Sequence, residues 1–256
     1  MKNSLCLLST LVFVLLSACG INAKEEVKYS IMNASWPVYE DAQELVENAK
    51  LVFVGKVKKI SFQVLDRTTV QPPTDKTEDT DRKFYTMYDV DIDFIYKGKA
   101  PSPAQVRMMG GIRDYRVEEQ LALMKKERSI NDLFDGTYHI SVWEEMPKFI
   151  IGETYLFVLH QYMDNSPTIM NLSQSIFLLE NPFEKQDIQG RQIEENPEEY
   201  YDKNELNGGP ILSARDIVLT FGQDKWDSFW TWWQKENPGW ESRIDKKAVD
   251  KVLAQK

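Results

Sequence analysis

Two histidines, two cysteines and a run of alternating aspartates are the residues of this 256-residue chain best suited to chemistry. His139 and His160 both fall on predicted strands. A Ser-His-Asp triad needs one of them beside a serine and a carboxylate, and no spacing supports that arrangement. The pair could join an acid in holding a metal only if the fold brought the two rings together. Asp89, Asp91 and Asp93 spell the D-x-D-x-D that opens a calcium loop. Phe94, however, stands where that loop needs Gly, and Ala100 where it needs the bidentate Glu, so the three read as a solvated strand face. The G-x-S-x-G, G-x-x-x-x-G-K-[ST] and H-E-x-x-H motifs are absent from the sequence. Carboxylate pairs such as Glu144-Glu145 and Glu194-Glu195 mean little in a chain with 40 acids. No catalytic residue, metal ligand or cofactor is assigned.

The cysteines carry more information. Met1-Lys2-Asn3 is a short positive start, and Ser4 to Leu16 is an apolar run of about a dozen residues, too short to span a bilayer, which takes about 20. The run ends in Leu16-Ser17-Ala18-Cys19, which resembles the lipobox of bacterial lipoproteins. That resemblance implies removal of residues 1–18 and acylation of Cys19 as the new N-terminus. Cleavage after Ala23 is the alternative, but Ile21 would then occupy a position that favours a small residue. Two acyl chains, at roughly 0.8 kcal/mol per buried methylene, anchor stably where one is marginal. Cys6 is discarded with the leader, so the body has no thiol for a disulfide, a zinc site or nucleophilic attack. The implied location is the extracytoplasmic face of the cell membrane, with the lipid bilayer as first partner.

A second concentration of unusual residues lies near the other end. Trp226, Trp230, Trp232, Trp233 and Trp240, five of the seven tryptophans, fall within fifteen residues. Asp224 can cap a helix in which Trp226, Phe229, Trp230 and Trp233 follow i, i+3, i+4, i+7 spacing, and Asn237-Pro238-Gly239 ends it. Ile244, Ala248, Val249 and Val252 suggest a second amphipathic helix. Such a stripe ordinarily docks on a core, which leaves Trp232 off its centre and unexplained. The other reading exposes some rings to a partner, an envelope protein or a glycan or the lipid interface, all of which suit flat amphipathic rings.

The elements between these ends read mainly as strands. Lys24 to Asn33 reads as a polar tether. Pro37 to Asn48 has helical spacing, with Ser35 as a possible cap and Pro37 in the first turn. Leu51 to Val57 is a buried strand that becomes alternating through Phe62, and Phe84 to Tyr96 is a long one beyond an exposed loop over 68–82. Gln105 to Gly111 is a shorter strand closing in a glycine turn. Tyr115 to Arg128 is a charged helix inserted between strands, Tyr138 to Trp143 and Thr154 to Tyr162 are two more strands, and Thr168 to Leu172 with Ile176 to Leu179 form a closing hairpin. The expected class is mainly β (α+β): a small antiparallel OB-like barrel with a leading helix, an inserted helix and a helical C-terminal tail. The expected divisions are a leader over 1–18, a tether over 19–36, a barrel over 37–180, an acidic linker over 181–210 and the Trp-rich tail over 211–256.

The order of Ala49 to Val57, Phe94-Ile95-Tyr96-Lys97-Gly98, Val106-Arg107 with Gly110-Gly111, and Ile151 to Leu159 resembles the OB-type barrel of tissue inhibitors of metalloproteinases and netrin modules. The resemblance covers about 38–180. Those inhibitors place a free N-terminal Cys on the target's zinc and brace it with disulfides. Here the matching Cys is the acylated one, so the resemblance implies the scaffold and not the inhibition.

Thirty-one basic residues against 40 acids leave a formal charge of -9, which excludes a nucleic-acid partner by repulsion of phosphate. The same charge opposes contact with anionic lipid head groups and leaves the anchoring to the acyl chains. Two function classes remain: a membrane-tethered, non-enzymatic binding module, or an extracytoplasmic envelope-acting hydrolase using one histidine and carboxylates. The geometry around His139 and His160 separates them.

Overall fold

The computed structural model describes residues 27–32, 36–127, 133–134, 137–143, 149–161, 166–171, 174–183, 212–245, 247 and 249–250. Cys19, most of the acidic linker (184–211), the pairs Glu144-Glu145 and Glu194-Glu195, and the expected helical positions Ala248 and Val252 lie outside the described residues. The fold is mixed and sheet-rich. Its elements are β1 (Lys28–Met32), α1 (Ala42–Asn48), β2 (Leu51–Asp66), β3 (Arg82–Lys97), β4 (Ala104–Met109), α2 (Val117–Lys126), β5 (Leu133–Phe134), β6 (Thr137–Trp143), β7 (Thr154–Gln161), β8 (Pro167–Ile169), β9 (Ile176–Leu178), α3 (Ala214–Leu219) and α4 (Gln223–Glu236). Among the described residues no helix is long and apolar enough to cross a membrane.

Five strands close a ring in the order β2-β3-β4-β8-β7, with β7 pairing back on β2. This is the small OB-like barrel expected. It is not wholly antiparallel: β4 and β8 run parallel, meeting at Arg107 and Thr168. A closed ring of five strands cannot alternate direction all the way round, so one seam must be parallel, and here it falls on the shortest pairing. Nor do β8 and β9 form a hairpin with each other. They lie in line along one edge of β7, at Gln161–Leu159 and Phe157–Tyr155 respectively.

The ring strands are buried on one or both faces, and the sequence shows which. Phe53, Tyr88, Val106, Phe157 and Ile169 supply the barrel interior, with Phe53 and Phe157 stacked at 4.8 Å. Val52, Val54, Leu156 and Val158 point outward, yet all are fully buried, because α1 and the C-terminal helices cover them. Leu51-Val52-Phe53-Val54 and Tyr155 to Leu159 are continuous apolar runs for that reason: both faces of β2 and β7 are covered.

Three segments differ from the sequence expectation. Lys28–Met32 is a strand, paired in parallel with His139–Trp143, and this second sheet, completed by β5, meets the chain just after β4 through the Gly111–Val142 bridge. The segment expected to hang as a tether is thus tied down, by Tyr29 packing among the residues under α2 and by Ser30 Oγ at 3.1 Å from His139 Nδ1. The leading helix begins at Ala42, where Asp41 caps it by accepting from Glu44 N–H at 2.8 Å. Pro37 lies before the helix, its carbonyl accepting from Asn171 Nδ2. In the tail, α4 starts at Gln223 with Gly222 at the cap position, leaving Asp224 in the first turn. It is preceded by α3, whose Ser213 and Asp216 form a reciprocal capping box.

Buried polar side chains staple the attachments to the barrel. Gln174, 3% exposed, accepts from Tyr39 N–H at 3.1 Å and donates to Tyr39 C=O at 3.0 Å, fixing the chain ahead of α1. Gln120 of α2 is fully buried, accepting from Ile112 N–H and donating to Ile112 C=O. Gly98 ends β3 at φ +80°, where a Cβ would lie 2.4 Å from Lys50 C=O, so both its conformation and its contact need glycine.

Candidate functional site

At the parallel seam a groove of about 610 Å³ opens beside the ring. Its floor is Met108 of β4 with Thr168, Ile169 and Met170 at β8, all buried. Its walls are Met109, His160 of β7, and the rings of Trp36 and Trp143, whose centroids are 5.1 Å apart at 54°. Trp143 donates its indole N–H to Met109 C=O at 2.7 Å, which sets that ring against β4. Pro37, Tyr39 and Asn48 complete the lining; Asn171 holds Pro37, Gln174 holds Tyr39, and Asn48 donates to Glu44 C=O.

The groove is apolar with a few polar groups, the composition ligand pockets ordinarily have. His160, which lies opposite Thr168 in the register, is its one imidazole. No hydrogen bond joins the two, and among the described residues no carboxylate lines the groove. His139 sits elsewhere, on β6 against Ser30. The fold therefore keeps the two histidines on different sheets, and among the described residues no group of three His, Cys, Asp or Glu can hold a metal.

The aspartates of β3 are also dispersed. Asp89 accepts from Gln105 Nε2 at 2.9 Å, and Asp91 pairs with Lys58 at 3.5 Å in an exposed contact. Asp93 stands further along the strand, where partial burial pushes its carboxyl above the usual range. Lys56 opposes that shift, while Glu236 and Asp91 add to it.

The five tail tryptophans are mostly interior. Trp226 and Trp233 are fully buried and Trp240 is 6% exposed, so these three present no face to a partner. Trp230 is half-buried among Phe183, Trp226, Trp233 and Trp240. Trp233 donates its indole N–H to Leu179 C=O at 2.7 Å, locking α4 to the chain after β9. Trp232, off the stripe as the spacing predicted, meets Phe94 edge to face at 4.9 Å and lines a cleft between α4 and the barrel. Ile244 and Val249 continue the same packing.

The groove residues were not singled out by spacing. One signal was available: of the seven tryptophans, the two outside the tail are Trp36 and Trp143, and both are in the groove. No family model matches this chain, and no curated protein matches it in sequence.

Proposed function

We propose that this protein is a membrane-tethered extracytoplasmic lipoprotein, anchored through acylated Cys19, that acts as a non-enzymatic binding module. The barrel is its scaffold, the Trp-rich helices are its buttress, and the seam groove takes apolar side chains of an envelope protein. The observation that carries the reading is the groove itself: about 610 Å³ walled by Trp36, Trp143, Met108 and Met109. Tryptophan and methionine suit protein contacts, the one by large rigid area and the other by an adaptable thioether. Support for the anchor comes from Leu16-Ser17-Ala18-Cys19 alone.

The test uses the full chain in cells. A photoreactive residue replacing Met109 is expected to give one discrete protein adduct, absent when the probe replaces exposed Lys225 on α4 and lost on Trp143→Ala. Equal adducts from both positions, or none from Met109, would overturn the groove as the contact site. Separately, Cys19→Ala is expected to move the protein out of the membrane fraction; its retention there would end the lipoprotein reading.

A further inference from the structure

On the tail side of the barrel, away from the seam, a polar cleft of about 340 Å³ lies between the C-terminal end of α4 and Lys56 of β2, Asp93 of β3 and the start of β7 at Thr154. We propose that this cleft is a saccharide site, taking a neutral or amino sugar and rejecting acidic ones. The inference is independent of the seam groove and of the lipid anchor.

Saccharide recognition asks for two things in one place: a flat aromatic surface for the C–H face of a pyranose ring, and donors and acceptors for its hydroxyls. Trp232 supplies the first. Its placement off the buried stripe of α4 is what lets it reach the cleft, and Phe94 packed edge to face holds it. The second comes from charged groups of both signs, among them Asp93, Glu236, Lys56 and Arg243, with the Asn237 amide also in the lining. No hydrogen bond or ion pair ties any of these four charged side chains to another described residue, so their hydrogen-bonding capacity is open to a ligand. Asn237 is different: its Nδ2 donates to Trp233 C=O at 2.9 Å, which leaves its side-chain oxygen as the open atom.

Charge sets the class of sugar. Four carboxylates and two cations line the cleft, and the carbonyl end of α4 adds partial negative charge. A uronate or sulfated sugar would meet net repulsion. A neutral ring would not, and an ammonium-bearing one would gain from Asp93 and Glu236. At about 340 Å³ the cleft is at the small end of ligand sites, which fits a short stretch of a glycan and not a large cofactor.

The experiment uses the full-length protein in phosphatidylcholine nanodiscs, so that no sugar-based detergent competes. Calorimetric titration is run with a β-1,4-linked glucosamine trimer, its N-acetylated form, and a galacturonic acid trimer. One or both of the first two are expected to bind, the third at least tenfold more weakly. Trp232→Ala is expected to weaken binding tenfold or more. Because that ring also packs on Phe94, the exposed Arg243→Ala and Glu236→Gln provide folded variants that should each weaken binding several-fold, while Trp36→Ala leaves it unchanged. Absence of binding by both amino-sugar trimers, equal binding of the uronate, or full binding by all three cleft variants would overturn the proposal.

Discussion

The two sides of this barrel are built from similar residues and finished differently. On the tail side, outward-facing Val52, Val54, Leu156 and Val158 lie beneath α1 and α4, and the rings of Trp226, Phe229 and Trp233 are sealed at 0–1% exposure. On the seam side, Trp36 and Trp143 stand half-buried over Met108 and Met109, with a groove left between them. Aromatic content therefore does not say whether a surface is sealed or left open. What separates the two is whether a second element is available in sequence to lie across the apolar face. The tail provides α3 and α4 for one side, while the seam is crossed among the described residues only by β4 and β8 meeting at a single residue pair.

Truncating a ring on each side puts this contrast at risk. Trp233→Ala removes a fully buried indole and its bond to Leu179, and should cost about 3–5 kcal/mol in urea unfolding. Trp36→Ala should cost no more than about 1.5 kcal/mol, the scale of an aromatic pair at a partly open site. Equal losses would show the groove to be as much a part of the core as the tail contact is. Gln174→Ala comes next: it leaves Tyr39 N–H and C=O unpaired beneath the groove, a loss of about 1–3 kcal/mol by the same measurement. Ser213→Ala breaks the capping box that starts the tail helices and should cost about 1 kcal/mol, with the far-ultraviolet spectrum of the folded protein unchanged.

The smallest effects are those of pH, and they have opposite signs at two aspartates. Asp66 accepts from the N–H groups of Thr69 and Thr68 and from the Thr77 hydroxyl, and these bonds hold its carboxyl below the usual range. Its contribution is complete above the unfolded value of about 4 and is lost as pH falls through the lower folded value, so Asp66→Asn should flatten the acid limb of the stability curve. Asp93 is pushed the other way, first by partial burial and then by Glu236 and Asp91, against Lys56. Ionising it costs stability as pH rises from about 4 through the folded value. Asp93→Asn should therefore raise the thermal midpoint at pH 7 and leave it unchanged below pH 4. A raised midpoint at both pH values would show the effect to be packing, not charge.

Much of the ring was legible, and particular residues show why. Leu51 to Val54 and Tyr155 to Leu159 are long enough and apolar enough to require cover on both faces, and Gly98 and Gly110-Gly111 mark strand ends at positive φ or close approach. The spacing put Trp226, Phe229, Trp230 and Trp233 on one stripe and Trp232 off its centre; Trp226, Phe229 and Trp233 are buried, Trp230 is half-buried, and Trp232 lines the cleft beside α4. Two further signals are present in the sequence. Ser213-Ala214-Arg215-Asp216 is the pattern of a capping box and announces α3. Lys28 to Met32 alternates polar and apolar side chains like a strand with one covered face, although a strand has no meaning until a partner is known.

Local sequence determined the elements of this protein, because strand alternation, helical spacing, caps and glycine turns act within a few residues of one another. The Leu16-Ser17-Ala18-Cys19 motif is likewise read directly from the chain. Pairing belonged to the tertiary structure. The parallel contact of β1 with β6, the seam where β4 meets β8, and the meeting of Trp36 with Trp143 all join residues far apart in the chain. Such contacts depend on which apolar faces find each other once the ring closes, and a ring of five strands closes only by placing one parallel seam, the place where the groove opens.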